Sequence, residues 1–134
     1  MIVDIFFPCV HDGFSEQQRA NLLKIVAQVG DQPSEVTAPQ CCGQHFYLSG
    51  YPQLAKSYGE KLLRAYEVNR PLIVASSSCL GYMKNYYNKF FFNTSLHNEL
   101  KQFQSNVLDI TQYLVQRKKI TNVGAKFEGT VAYY

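Results

Sequence analysis

The chain has 134 residues, 46% of them hydrophobic, which is enough for one compact domain with a core and too short for two. Thirteen basic side chains stand against 10 acidic ones, and the net charge of +3 is spread along the sequence rather than massed in a run, which gives nucleic-acid binding little support. Met1 to Phe7 is apolar but lacks the basic region and length of a secretory signal, and no stretch reaches the ~20 apolar residues of a membrane span, so a cytosolic chain is expected.

In chain order, Met1 to Phe7 reads as a buried strand stopped by Pro8, with Cys9 just past its end. Ser15 as N-cap, Gln18 three positions on, Leu22, Val26 and Val29 at helical spacing and Gly30 at the close predict an amphipathic helix from about Ser15 to Val29. Glu35-Val36-Thr37, between Pro33 and Pro39, is a weaker strand signal that leads into Cys41-Cys42-Gly43. Pro52 suits the first turn of a second helix, with Leu54, Tyr58, Leu62 and Ala65 along one stripe and Gly59 weakening the pattern slightly. Pro71 to Ala75 is too short and too uniformly apolar for a helix and fits a parallel strand covered on both faces.

Ser76, Ser77 and Ser78 then offer N-caps for a helix through Leu80 to Tyr87, placing Cys79 in or near its first turn, where the helix dipole favours a thiolate. Leu96, Leu100 and Phe103 predict a further short helix, and Asp109 with Gln112 forms a capping pair for another that runs to about Arg117. The cations Arg117, Lys118 and Lys119 suit the C-terminus of that helix. Phe127 to Tyr134 reads as a strand-like segment with nothing after it to cover it, the pattern of a truncated chain.

Alternating strands and helices predict an α/β domain with a mostly parallel sheet, helices on its faces and right-handed crossovers. Sites in such sheets gather outside the carboxyl ends of strands, and all four cysteines follow predicted strands, so they are expected at one edge. In a reducing compartment they read as metal ligands or reactive thiols rather than disulfides, and the count does not choose between these. Cys9 or Cys79 alone would be read as a small buried hydrophobe. With the vicinal pair Cys41 and Cys42, a metal cluster is favoured, and zinc ranks below it for want of a Cys-x2-4-Cys knuckle.

A phosphatase-like nucleophile at Cys9 would need an arginine six positions on, where Ser15 stands. A thiol-disulfide enzyme would want Cys-x-x-Cys at the helix start, and Ser76 occupies the first of those positions. A disulfide between Cys41 and Cys42 is read as the oxidation product of an empty site. No glycine-rich phosphate loop is present, so no dinucleotide is assigned. His11 and His45 read as ordinary loop histidines near cysteines, and His97 as a residue on the polar side of its helix. Tyr82, Tyr86, Tyr87 and Phe90 to Phe92 read mostly as core or covered surface.

Cys9, the run Cys41-Cys42-Gly43-Gln44, Ser49-Gly50-Tyr51, the run Ser76 to Cys79 and Asp109-Ile110-Thr111-Gln112 together resemble the cysteine-rich CCG domain of iron-sulfur oxidoreductases, nearest its lactate-utilization branch and over most of the chain. The resemblance implies a Rossmann-like fold that normally occurs twice in one polypeptide, with residues 1–134 as a single copy and the N-terminal half of a longer protein. It implies a [4Fe-4S] cluster on Cys9, Cys41, Cys42 and Cys79, with Gly43 allowing the tight turn between neighbouring ligands. The implied role is electron transfer in an L-lactate- or glycolate-oxidising complex, whose other subunits and whose second CCG copy would be the partners. Loss of that second copy would leave a face open to self-association. Ser76 departs from the five-cysteine version of heterodisulfide reductases, which disfavours a non-cubane cluster. The alternatives are an apo scaffold domain of the same complex and a thiol-disulfide redox domain.

Overall fold

A strand whose residues are apolar on both faces needs a helix layer on each side. β1 (Ile2–Phe6) comes close to this pattern, buried from Val3 onward with Asp4 its one charged residue. In the computed structural model, which describes residues 1–9, 16–37, 39–67 and 69–133, β1 pairs in parallel with β2 (Gln32–Val36) on one side and with β3 (Leu72–Val74) on the other. β4 (Val107–Leu108) extends the sheet beyond β3. The order β2-β1-β3-β4 is that of a doubly wound sheet. The winding reverses between β1 and β3, and ligands of such sheets sit outside the strand ends at that point.

Helix α1 (Glu16–Gln28) covers one face, where Val26, Leu22 and Leu23 pack with Val3, Ile5, Ile73 and Leu108. The other face carries α3 (Pro52–Ala65), α4 (Ser77–Phe91) and α5 (His97–Asn106), which enclose Phe6, Leu72 and Val74. The protein is therefore a three-layer, Rossmann-like α/β domain with an all-parallel sheet.

Several elements differ from expectation for physical reasons. β2 begins at Gln32, ahead of the expected Glu35, and includes Pro33. It is an edge strand bonded only to β1, so a missing N–H is tolerated. A short helix, α2 (Gln44–Leu48), follows the vicinal cysteines and was not anticipated. α4 starts at Ser77 and reaches Phe91, longer than the expected Leu80 to Tyr87, because Ser76 caps it by accepting the Cys79 N–H. The Asp109 and Gln112 pair forms the expected capping box at α6 (Ile110–Gln112), which passes into a π-helical turn over Tyr113–Arg117. Arg117 donates to Ser105 O and Asn106 Oδ1, so it has specific partners as well as a helix end to favour it.

The strand reading of Phe127 to Tyr134 is corrected: residues 127–133 form no strand. Phe127 is 76% exposed and Val131 69%, with no neighbour to pair or cover them among the described residues. Tyr134 and the Ser15 cap lie outside the described residues.

Candidate metal centre

Gly43 sits at φ +94°, and a Cβ there would lie 2.6 Å from Ala55 O. A residue without a side chain is what lets Cys41 and Cys42 turn directly into α2 while that turn rests against α3. The Gly43 N–H donates to Cys41 Sγ at 3.4 Å. From below, the Tyr87 hydroxyl donates to Cys42 O at 2.7 Å, fixing the vicinal pair to α4. Ser78 Oγ donates to Gln44 Oε1 at 3.0 Å and ties the start of α4 to the start of α2.

These loops bring the sulfurs together in two pairs. Cys9 Sγ and Cys41 Sγ are 3.6 Å apart, and the buried Cys42 and Cys79 side chains are hydrogen bonded to each other. All four are free thiols, and all four line one cavity of about 180 Å³ outside the strand ends. Gln44, His45, Leu48 and Ser78 complete its wall. Cys9 is exposed, whereas the other three are buried.

The hydrogen bond from Cys42, helped by Ser76, outweighs burial and brings the Cys79 thiol down to about 7. Cys42 is pushed well above the ordinary thiol range, because it supplies that hydrogen bond and is itself desolvated beside Cys79. The inner pair is thus suited to carry one thiolate in the absence of metal.

The donor set fits an iron-sulfur centre: four soft sulfur donors at one cavity, from two loops and the first turn of α4. Among the described residues no three His, Cys, Asp or Glu side chains converge tightly enough for a single ion. A cluster distributes its four thiolates over separate irons and so asks for a wider set.

A second cavity of about 890 Å³ shares Cys9, Cys41 and His45 with the first. Phe46 and Tyr58 line it and stack at 4.9 Å. His45 lies in the first turn of α2 and not in a loop as expected. His97 accepts the Asn93 N–H at 3.0 Å and meets the Phe92 ring edge-on. His11 lies outside the described residues. Sequence reasoning did not assign Tyr82, Tyr87 or Gln44 to the site. The signal for Tyr82 was its spacing: three residues after Cys79, it falls one helical turn further along the same face.

Such a fold, with four thiols at the strand ends, defines a class of cysteine-rich α/β domains. Residues 3–84 match the CCG cysteine-rich domain model, and the chain belongs to that family. Over its full length the chain is 27% identical to lactate utilization protein A of Macrococcus caseolyticus and 30% identical to that of Oceanobacillus iheyensis, covering 55% of each relative. It is 28% identical to lactate utilization protein A 2 of Bacillus cereus over 86% of the chain and 48% of the relative. The chain spans about half the length of the curated relatives it matches. No solved structure matches it significantly.

Proposed function

We propose that this domain holds a [4Fe-4S] cluster on Cys9, Cys41, Cys42 and Cys79 and transfers electrons within an L-lactate- or glycolate-oxidising complex. The observation that carries this reading is that all four cysteines line one cavity at the carboxyl edge of the sheet. A cluster bound there would supply one-electron redox chemistry. The protein's own groups prepare for it. Cys42 and Cys79 give up the proton that links them, the first turn of α4 stabilises negative sulfur at Cys79, and the Gly43 N–H does the same for Cys41. Burial of Cys41, Cys42 and Cys79 excludes water from three ligands, while exposed Cys9 leaves one side open for electron exchange.

The relatives' names support the lactate-utilization setting, and their greater length supports a further half. Residues 1–134 act as a single CCG domain corresponding to one half of those relatives. Partners are the other subunits of the oxidising complex and a second CCG copy, with self-association where that copy is missing. The site of action is the cytoplasm. No helix among the described residues is long and apolar enough to cross a membrane.

The 3.6 Å approach of the Cys9 and Cys41 thiols favours one second reading, a thiol-disulfide redox domain in which the two thiols lose two protons and two electrons to a partner disulfide and form a disulfide of their own. Iron and acid-labile sulfide per chain after anaerobic reconstitution, with visible absorption and low-temperature EPR, separate the two. The cluster reading expects about four of each in wild type and loss of the centre in Cys42→Ala. A Cys42→Ala protein with a full cluster, or a metal-free wild type that forms the Cys9–Cys41 disulfide, sinks it.

A further inference from the structure

Among the described residues, one buried side-chain polar atom has no hydrogen-bond partner: the hydroxyl of Tyr82. Buried hydroxyls are rarely left this way, and an exception calls for an explanation. Tyr82 is 3% exposed and belongs to the same core cluster as Cys42 and Cys79. It lies one helical turn beyond Cys79 on α4. Its ring meets Tyr87 edge-on at 5.5 Å, and Tyr87 is the residue whose hydroxyl holds the Cys42 carbonyl. Tyr47, four residues past Gly43, closes the other side at 6.0 Å. Burial raises the pKa of Tyr82, and any charge on the neighbouring Cys42, Tyr47 or Cys41 would raise it further, so this hydroxyl keeps its proton. An unpaired donor is therefore buried in the core that also holds Cys42 and Cys79.

We propose that the Tyr82 hydroxyl is the hydrogen-bond donor to the sulfur-rich centre held by Cys9, Cys41, Cys42 and Cys79, and that it raises that centre's reduction potential. This inference rests on the iron-sulfur reading. Neutral thiols are weak acceptors, which leaves the hydroxyl unmet in their company, whereas thiolate and sulfide sulfurs are strong ones. An added electron makes those sulfurs more negative, so a hydrogen bond donated to them stabilises the reduced state more than the oxidised state. The tyrosine remains protonated throughout, and the single electron comes from an external reductant.

The test is Tyr82→Phe, with Tyr86→Phe as the comparison, in anaerobically reconstituted chain titrated with dithionite and redox mediators and followed by EPR. The metal-free proteins are unfolded in denaturant alongside. Tyr82→Phe is expected to hold wild-type iron and to shift the one-electron equilibrium about tenfold toward the oxidised state, a potential about 59 mV lower. Tyr86→Phe keeps the wild-type potential, and metal-free Tyr82→Phe is at least as stable as metal-free wild type. A wild-type potential in iron-replete Tyr82→Phe overturns this inference and leaves the iron-sulfur reading standing. Lower stability of the metal-free variant overturns it as well, because the hydroxyl then has a partner within the protein. Wild type that takes up no iron overturns both.

Discussion

Gly43 is the residue on which the geometry of the vicinal cysteines turns. Its φ of +94° lies in the left-handed region, and Ala55 O stands 2.6 Å from where a Cβ would be. The two effects are separable, since left-handed backbone costs a non-glycine residue about 1–2 kcal/mol and overpacking against a fixed carbonyl about 1–3 kcal/mol. Gly43→Ala is expected to lower stability by about 3 kcal/mol, read from the denaturant midpoint, and to impair metal uptake because Cys41 and Cys42 lose their register. A variant with wild-type stability would mean that the turn relaxes away from α3. Gly30, also at positive φ, has open space around it, so only the backbone cost applies there.

At the scale of elements, the site depends on how closely α3 approaches α4. Gly59 faces α4 with Phe91 at 3.0 Å and Tyr87 at 3.2 Å from its would-be Cβ. The glycine that weakens the helical pattern in the sequence is thus the contact that seats Tyr87, and through it the Cys42 carbonyl. Gly59→Val is expected to cost about 2–3 kcal/mol, since a stiff branched side chain must displace two buried rings. Near-UV circular dichroism should report the loosened aromatic packing, and an unchanged spectrum at unchanged stability would refute the contact. Ser76 acts at the same scale. Its hydroxyl accepts the Cys79 N–H at 3.4 Å and starts α4 one turn earlier than the apolar pattern indicates.

Across the whole molecule, Asp31 gathers groups that are distant in sequence. It accepts from the Tyr113 hydroxyl, pairs with Lys118 at 2.9 Å and with the amino group of Met1 at 3.0 Å, and thereby fastens the π-helical turn to the amino edge of the sheet. Burial alone would raise its pKa, but the hydrogen bonds from Tyr113, Lys118 and the amino terminus outweigh burial and bring it down to about 2. Since folding lowers this pKa below its unfolded value, the stabilisation is complete above about pH 4 and is lost as pH falls through about 2. Asp31→Asn is expected to lose about 2–3 kcal/mol at pH 7 and to show a flatter stability profile between pH 4 and 2 than wild type. Parallel acid profiles for the two proteins would remove Asp31 as the source of that slope. Lys118 is thus engaged by a specific carboxylate as well as standing at a helix end.

The sequence alone determined what local pattern can encode. The apolar runs before Cys9 and Cys79 specify strands, the apolar stripes of α1 and α3 specify helices, and the placement of every cysteine after a strand specifies one edge for all four. Tertiary structure decided the rest. A two-residue strand such as Val107–Leu108 has no periodicity to read and forms because Leu72 and Ile73 offer it hydrogen bonds. Phe127 to Tyr133 has the composition of a strand and no pairing partner among the described residues, so it is not one. The pairing of Cys9 with Cys41, the capture of the Cys42 carbonyl by Tyr87 and the isolation of the Tyr82 hydroxyl join segments 30 or more residues apart or depend on such junctions. No local propensity encodes such contacts, because their free energy arises only when the helix layer closes over the sheet and removes the groups from water.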